Sequence, residues 1–441
     1  MNRRTSCCEI MFSMRMPLLL LFACVLKVSA QAEFDLLLDN GHVVDGRNGV
    51  DGVRDVAIRA GRIAAVAPAI EPARAARVID VKGLYVVPGL IDIHVHVFHT
   101  SLVPNAWAGD NSVQPDTISF RTGVTTMVDA GSSGYRNFPQ FRATVIDRAQ
   151  TRILAMLNIA GYGMMTNLVE QDTQDMIAAK TAAVARQHKD VVVGIKSAHF
   201  EGAAWTSVDR AIEAGKEAGI PIMVDFGWFR TERPYWQLVT QRLRPGDIST
   251  HMFRGPVPWA DAKGKLYPYL AEARKRGVLF DVGHGGGSFV MRHAVPAIAQ
   301  GFWPDTISTD LHSGSMNAGM MDMPTTMSKL LALGMPLKEV LVRSTDAPAR
   351  AIGRNDLGHL TPGAVADVAV LRLMEGDFAF RDEAGASVRS RQRLHPEMTF
   401  KDGRVVWDWN SRTGQPWQEL PSDYGIRKGV DHVVPPPAGT R

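Results

Sequence analysis

The chain has 441 residues, 45% hydrophobic and 21% charged, enough for one large domain and a smaller one. Residues 1–30 contribute +3 of the net charge of +4 (Arg3, Arg4, Arg15 and Lys27 against Glu9), so the remaining 45 basic and 44 acidic residues leave +1. A body that close to neutral excludes the charge pattern of a nucleic-acid or membrane-surface binder.

The N-terminus reads as a secretory signal. Arginines precede an apolar run from Met16 to Leu26, and Val28-Ser29-Ala30 forms a small-residue cleavage site. Eleven apolar residues, Met16 to Leu26, are too few for a membrane anchor. The expected location is therefore periplasmic or secreted, with no membrane association after cleavage. Cys7, Cys8 and Cys24 all fall inside this segment. A mature chain without them has no disulfide and no thiolate, so its chemistry rests on histidine, carboxylate, lysine or metal-activated water.

Residues 31–87 read as the N-terminal part of a small β-domain. Short strands are expected at 34–38, 42–45, 55–59, 62–66 and 78–80, with turns at Asp39-Asn40-Gly41 and Ala60-Gly61. Residues 88–357 show a βα alternation. Eight strand candidates lie at 85–96, 125–131, 152–160, 191–198, 221–227, 247–252, 279–285 and 305–312. Helical patterns run from Ala178 to His188, Ser207 to Ala218 and Phe289 to Gln300. The fold class is α/β: a (β/α)8 TIM-like barrel, favoured over a doubly wound sheet because ligand-type residues end seven of the eight strands. Residues 358–410 return to the β-domain through Asp367 to Leu371 and a turn at Lys401-Asp402-Gly403-Arg404, giving a small β-sandwich built from both chain ends. The tail 411–441, with Pro435-Pro436-Pro437, is expected to be peripheral.

The chemistry concentrates at strand ends. In Gly89-Leu90-Ile91-Asp92-Ile93-His94-Val95-His96, an apolar run leads into two histidines at i and i+2. Strand side chains alternate, so both imidazoles share one face and can grip a borderline metal such as zinc. Asp129, Lys196, Asp225, His251, Asp281, His284, Asp310 and His312 end later strands. Lys196 follows the apolar Val191 to Ile195. Burial lowers an amine pKa, and a neutral amine can take up carbon dioxide to become an anionic carbamate. An ion pair with Asp310 or Asp225 is the equal alternative. Asp310 ends another apolar strand, where a carboxylate can bind metal and accept a proton from water. Gly283, Gly285, Gly286 and Gly287 surround His284, which could polarise a carbonyl or bind a carboxylate. Arg136, Arg230 and Arg254 follow strand ends and are candidates for a substrate carboxylate. Trp228, Phe229, Trp259 and Met316 to Met323 could shape an apolar pocket, although ordinary packing explains most such residues.

The chain resembles the amidohydrolase superfamily through Pro88 to His96, Gly123-Val124-Thr125-Thr126 and Thr361-Pro362-Gly363. More narrowly it is similar to amidohydrolase/deacetylase-type metallohydrolases. That likeness rests on Val128 to Ser132, Gly194-Ile195-Lys196, Leu243 to Asp247, Asp281 to Gly285 and Ile307 to His312. The resemblance spans about residues 34–408. It implies two divalent metal ions, usually zinc: His94 and His96 on the more buried one, Asp310 shared and shuttling protons, carboxylated Lys196 bridging. Histidines on strands five and six would hold the second ion, and His251 matches the latter. At strand five this chain has Asp225 instead. Asp225 either ligates through oxygen or leaves the second site weak. His199, three residues after Lys196, is a less favoured substitute. The implied reaction is deacylation of a small acyl amide or ester, such as an N-acyl amino acid or acylated hydroxy acid. Alternatives are a cyclic amidohydrolase like dihydroorotase or hydantoinase, and a catalytically weak binding protein on the same scaffold. The oligomeric state stays open, a homo-oligomer included.

Overall fold

The computed structural model describes residues 32–98 and 111–434. The expected signal segment 1–30 and Pro435 to Pro437 lie outside them.

Two sheets organise these residues. Seven parallel strands follow chain order side by side: Leu90–Val95, Val124–Gly134, Arg152–Asn158, Val192–Ser197, Ile222–Val224, Ile248–Ser249 and Leu279–Phe280. They match seven of the expected strands in position, and the apolar content explains why. Leu90–Val95 is buried along its whole length, as a parallel strand covered on both faces must be. Each fully buried Val, Leu or Ile contributes roughly 1.5–3 kcal/mol, and residues from all seven strands or their ends enter the buried apolar clusters. Segment 305–312 bridges both sheet edges, pairing Thr306 with Asp281 and Leu311 with Val95. The fold is thus mixed α/β with a curled parallel sheet.

The expected strand 85–96 is two strands. Tyr85–Pro88 belongs to the other sheet, where it pairs with Leu36–Asp45 and Val368–Arg381. The chain changes sheets at Gly89, where a Cβ would collide with the Thr125 side chain.

The second sheet has eight strands from both chain ends, mostly antiparallel. Hydrogen bonds join them into one sheet, where two facing sheets were expected. Asp39-Asn40-Gly41 does not end a strand. It forms an irregularity inside Leu36–Asp45, with Asn40 at φ 63°. The Asp402-Gly403 turn is present, both residues at positive φ as a tight hairpin needs. Strands Val368–Arg381 and Ser387–Lys401 form a hairpin much longer than expected. Its tip docks on the other layer: Glu383 N–H donates to Phe289 O at 3.2 Å, and Met291 N–H to Asp382 Oδ2 at 2.9 Å. No helix among the described residues is long and apolar enough to cross a membrane.

Candidate metal centre

The C-terminal ends of the parallel strands open into a cavity of about 410 Å³. Its lining includes His94, His96, His199, Asp225, His251, Arg254 and Asp310.

His94 and His96 leave their strand on one face, as period two requires. His94 Nε2 is 3.6 Å and His96 Nε2 3.1 Å from Asp310 Oδ1. The three donor atoms lie within 4.8 Å of one another. Hydrogen bonding sets the His94 tautomer. The Thr250 hydroxyl donates to Asp281 Oδ2 at 2.7 Å, so Thr250 Oγ1 accepts from His94 Nδ1–H at 2.9 Å. The Nε2 lone pair then points to Asp310 and Lys196. Asp281 itself accepts from Thr250, Thr306 and Ser308 hydroxyls, which fixes the whole relay. A metal-ligating histidine shows this pattern, with its other nitrogen donating to an oriented oxygen. Burial, aided by the nearby Lys196 charge, pushes His94 down to about 3, so it is the neutral imidazole that a metal needs. Burial opposes ionisation of Asp310, yet His94, His96 and His251 outweigh it and hold the carboxyl well below its usual range. Two imidazole nitrogens and one carboxylate oxygen fit a divalent cation such as zinc.

Backbone strain marks the same place. Asp310 and His251 have φ of 51° and 58°. Gly285, at φ 55°, passes so close that a Cβ would collide with Asp310 Oδ2.

Lys196 is wholly buried. Its Nζ lies 3.0 Å from His94 Nε2 and 3.6 Å from Met223 Sδ. Neither contact neutralises an ammonium, and the ion pair with Asp310 or Asp225, the equal alternative to a carbamate, is absent among the described residues. Burial lowers its pKa, while the charges of Asp225, Asp310 and Asp281 oppose the shift.

Asp225 is buried and held on both oxygens. Oδ1 accepts from Gly227 N–H at 2.8 Å and Arg254 Nη1–H at 3.0 Å. Oδ2 faces His199 Nε2 at 3.1 Å and His251 Nε2 at 3.3 Å. Burial opposes its ionisation, but His251 and His199 keep its pKa well below the usual range. His199, the less favoured candidate, is therefore at the site. Its spacing from Lys196 was the only signal available. Its backbone lies in the left-handed region (φ 51°), which no strand pattern announces.

Two expectations need correction. Arg136 does not line the cavity; its guanidinium forks onto Asp175 at 2.7–3.0 Å. His284 does not reach the cavity wall either. Its ring stacks on Phe289 at 4.6 Å, Nδ1–H donates to Gly285 O at 2.9 Å, and Nε2 accepts from Lys329 Nζ at 2.5 Å. With both nitrogens engaged, it has no atom left to polarise a carbonyl or bind a carboxylate. Trp259 is a core residue, fully buried beside Phe253 and Phe280. His312 is a wall residue whose Nδ1–H donates to Asp310 O at 2.8 Å. Arg254 does line the cavity.

Comparison with known proteins agrees with this geometry. The Amidohydrolase family profile matches residues 290–406. A deacetylase of Agrobacterium fabrum is 35% identical over 345 residues, covering 76% of this chain and 82% of its own. A deacetylase of Brucella anthropi is 32% identical, covering 84% and 92%. Among solved structures, an adenine deaminase superposes with TM-score 0.77 at 29% identity, over 85% of this chain and all of its own. A dihydroorotase does so with TM-score 0.74 at 31% identity, over 85% and 99%.

Proposed function

Because this chain belongs to the amidohydrolase family of metal-dependent hydrolases acting on amide bonds, we propose that it removes the acyl group from a small N-acyl amino acid or acylated hydroxy acid. The observation that carries this reading is the His94, His96 and Asp310 donor set at the floor of a cavity that also holds Arg254. Zinc is the proposed ion. When bound, it supplies a Lewis acid that lowers the pKa of water toward neutrality.

The remaining chemistry belongs to side chains. His94 stays neutral, and Thr250 and Ser132 orient the His94 and His96 rings. Asp310, ionised in the resting state, takes the proton from the attacking water and returns it to the departing nitrogen or oxygen. Arg254 spends one N–H on Asp225, which leaves donors for a substrate carboxylate. The neutral form of the Lys196 amine, favoured by its burial, would take up carbon dioxide with formation of an N–C bond and loss of one proton, and the carbamate would supply an anionic oxygen donor beside His94.

The segment 305–312, bonded to both edges, supports closure of the parallel sheet into a (β/α)8 barrel. A second reading is cyclic-amide opening, favoured by the likeness to the solved dihydroorotase. A panel of N-acyl amino acids, acyl esters and cyclic imides, assayed with zinc or manganese, separates the two. Turnover of the acyclic N-acyl amino acids or acyl esters, with cyclic imides inert, is expected; turnover confined to cyclic imides overturns the deacylase reading.

The leader motif supports action outside the cytoplasm. N-terminal sequencing of the protein from a secreting host is expected to begin at Gln31, and an intact Met1 start would refute cleavage at this site.

A further inference from the structure

We propose that Glu383, at the tip of the long hairpin, selects a cationic side chain on the substrate, so that the preferred substrate is an N-acylated basic amino acid. The proposal rests on the deacylase reading of the cavity and narrows it to a substrate class.

The hairpin's reach is the first observation. Val368–Arg381 pairs with Tyr85–Pro88 only through Leu371. Residues 372–381 extend roughly 30 Å further, at about 3.4 Å per residue. That overhang brings the tip onto the parallel layer, where Asp382 locks it. Asp382 Oδ1 accepts from Ala386 N–H at 2.8 Å and Oδ2 from Met291 N–H at 2.9 Å. Glu383 N–H donates to Phe289 O at 3.2 Å, which fixes the backbone from which its side chain leaves.

The Glu383 carboxylate lies against the cavity wall. Gly287 lines the cavity, and Gly255 follows the lining residue Arg254. A Cβ on Gly287 would stand 3.4 Å from Glu383 Oε2, and one on Gly255 3.8 Å from Oε1. Glycine at both positions leaves the carboxylate unscreened on those sides. Among the described residues no hydrogen bond or close ion pair reaches either oxygen. The two nearby arginines are turned elsewhere: Arg254 Nη1 donates to Asp225 Oδ1 at 3.0 Å, and Arg292 Nη2 to Gly255 O at 2.7 Å. Partial burial pushes the Glu383 carboxyl up, although the charges of Arg254, His251 and Arg292 oppose the shift. A carboxylate that has lost solvent without gaining a donor is an acceptor in need of one. A substrate ammonium or guanidinium supplies it through a charge-assisted hydrogen bond. Arg254 keeps donors for the α-carboxylate of the same substrate. One wall then offers opposite charges to the two ionic ends of a basic N-acyl amino acid.

The test uses the full-length mature protein loaded with zinc. Nα-acetyl-arginine, Nα-acetyl-lysine, Nα-acetyl-methionine, Nα-acetyl-serine and Nα-acetyl-glutamate, in both configurations, are compared by kcat/KM. The wild type is expected to prefer the two basic substrates. The nearly isosteric Glu383→Gln should lower kcat/KM for them by about 10-fold or more, mainly through KM, in line with losing a hydrogen bond between charged groups. It should leave Nα-acetyl-methionine within about twofold. Glu383→Lys should reverse the order, with Nα-acetyl-glutamate above the basic pair. A structural Glu383 would move all substrates alike, and an equal loss across the panel overturns the proposal. So does an unchanged preference in both variants, or a wild type that favours Nα-acetyl-serine or Nα-acetyl-methionine; each leaves the deacylase reading standing. Turnover of no acyl substrate overturns both.

Discussion

Asp310→Asn is expected to lower kcat/KM by on the order of 1,000-fold, within the range that a positioned acid–base group contributes. The fold should survive, because the amide is nearly isosteric. Three losses coincide. The amide cannot accept and return a proton as a carboxylate does. Its oxygen is a weaker metal ligand beside His94 and His96, which lie 3.6 and 3.1 Å from Oδ1. The negative charge that would offset a bound divalent cation disappears. Steady-state hydrolysis of the best substrate, measured with metal content per chain, separates these causes. Full metal occupancy with lost turnover assigns the effect to proton transfer. Unchanged turnover at full occupancy removes Asp310 from the chemistry.

Lys196→Met is expected to cost at least about 100-fold in activity, at the upper end of what removing a supporting group of a metal site costs, while leaving the melting temperature no lower. Methionine fills a similar volume, and the substitution removes a fully buried amine without an ion-pair partner. Stability and activity therefore move independently, which a merely structural lysine would not allow. The carbamate gives a direct signature. Wild-type protein reconstituted with zinc in ¹³C-bicarbonate should show a carbamate carbon resonance that Lys196→Met lacks. Reconstitution in bicarbonate-free buffer should give a poorly active enzyme that bicarbonate restores. Equal activity with and without bicarbonate, and no resonance, would refute the modification and leave Lys196 as a buried amine.

The first half of the centre was legible because local rules govern it. Alternation along a strand puts His94 and His96 on one face whatever the rest of the chain does. Asp310 and Lys196 each end an apolar run, and apolar runs became buried segments of the parallel layer. Strand positions followed for the same reason: burial on both faces demands continuous hydrophobic stretches.

Loop geometry obeyed no such rule. Arg136 and Arg254 looked alike in sequence, each following a strand end. Asp175, thirty-nine residues away, captured the first, and Asp225, twenty-nine residues away, drew the second into the cavity. His284 had the glycines that a substrate-facing residue would want, yet Phe289 and Lys329 hold it in the interior. His199 seemed a loop histidine until Glu170 and Asp225 fixed both of its nitrogens. Sequence by itself determined the layers, the histidine pair and the carboxylate and lysine that approach it, because periodicity and hydrophobicity act between near neighbours. Tertiary structure alone decided which loop side chains enter the cavity and which tautomers they carry, because a hydrogen bond's direction depends on a partner supplied by another strand.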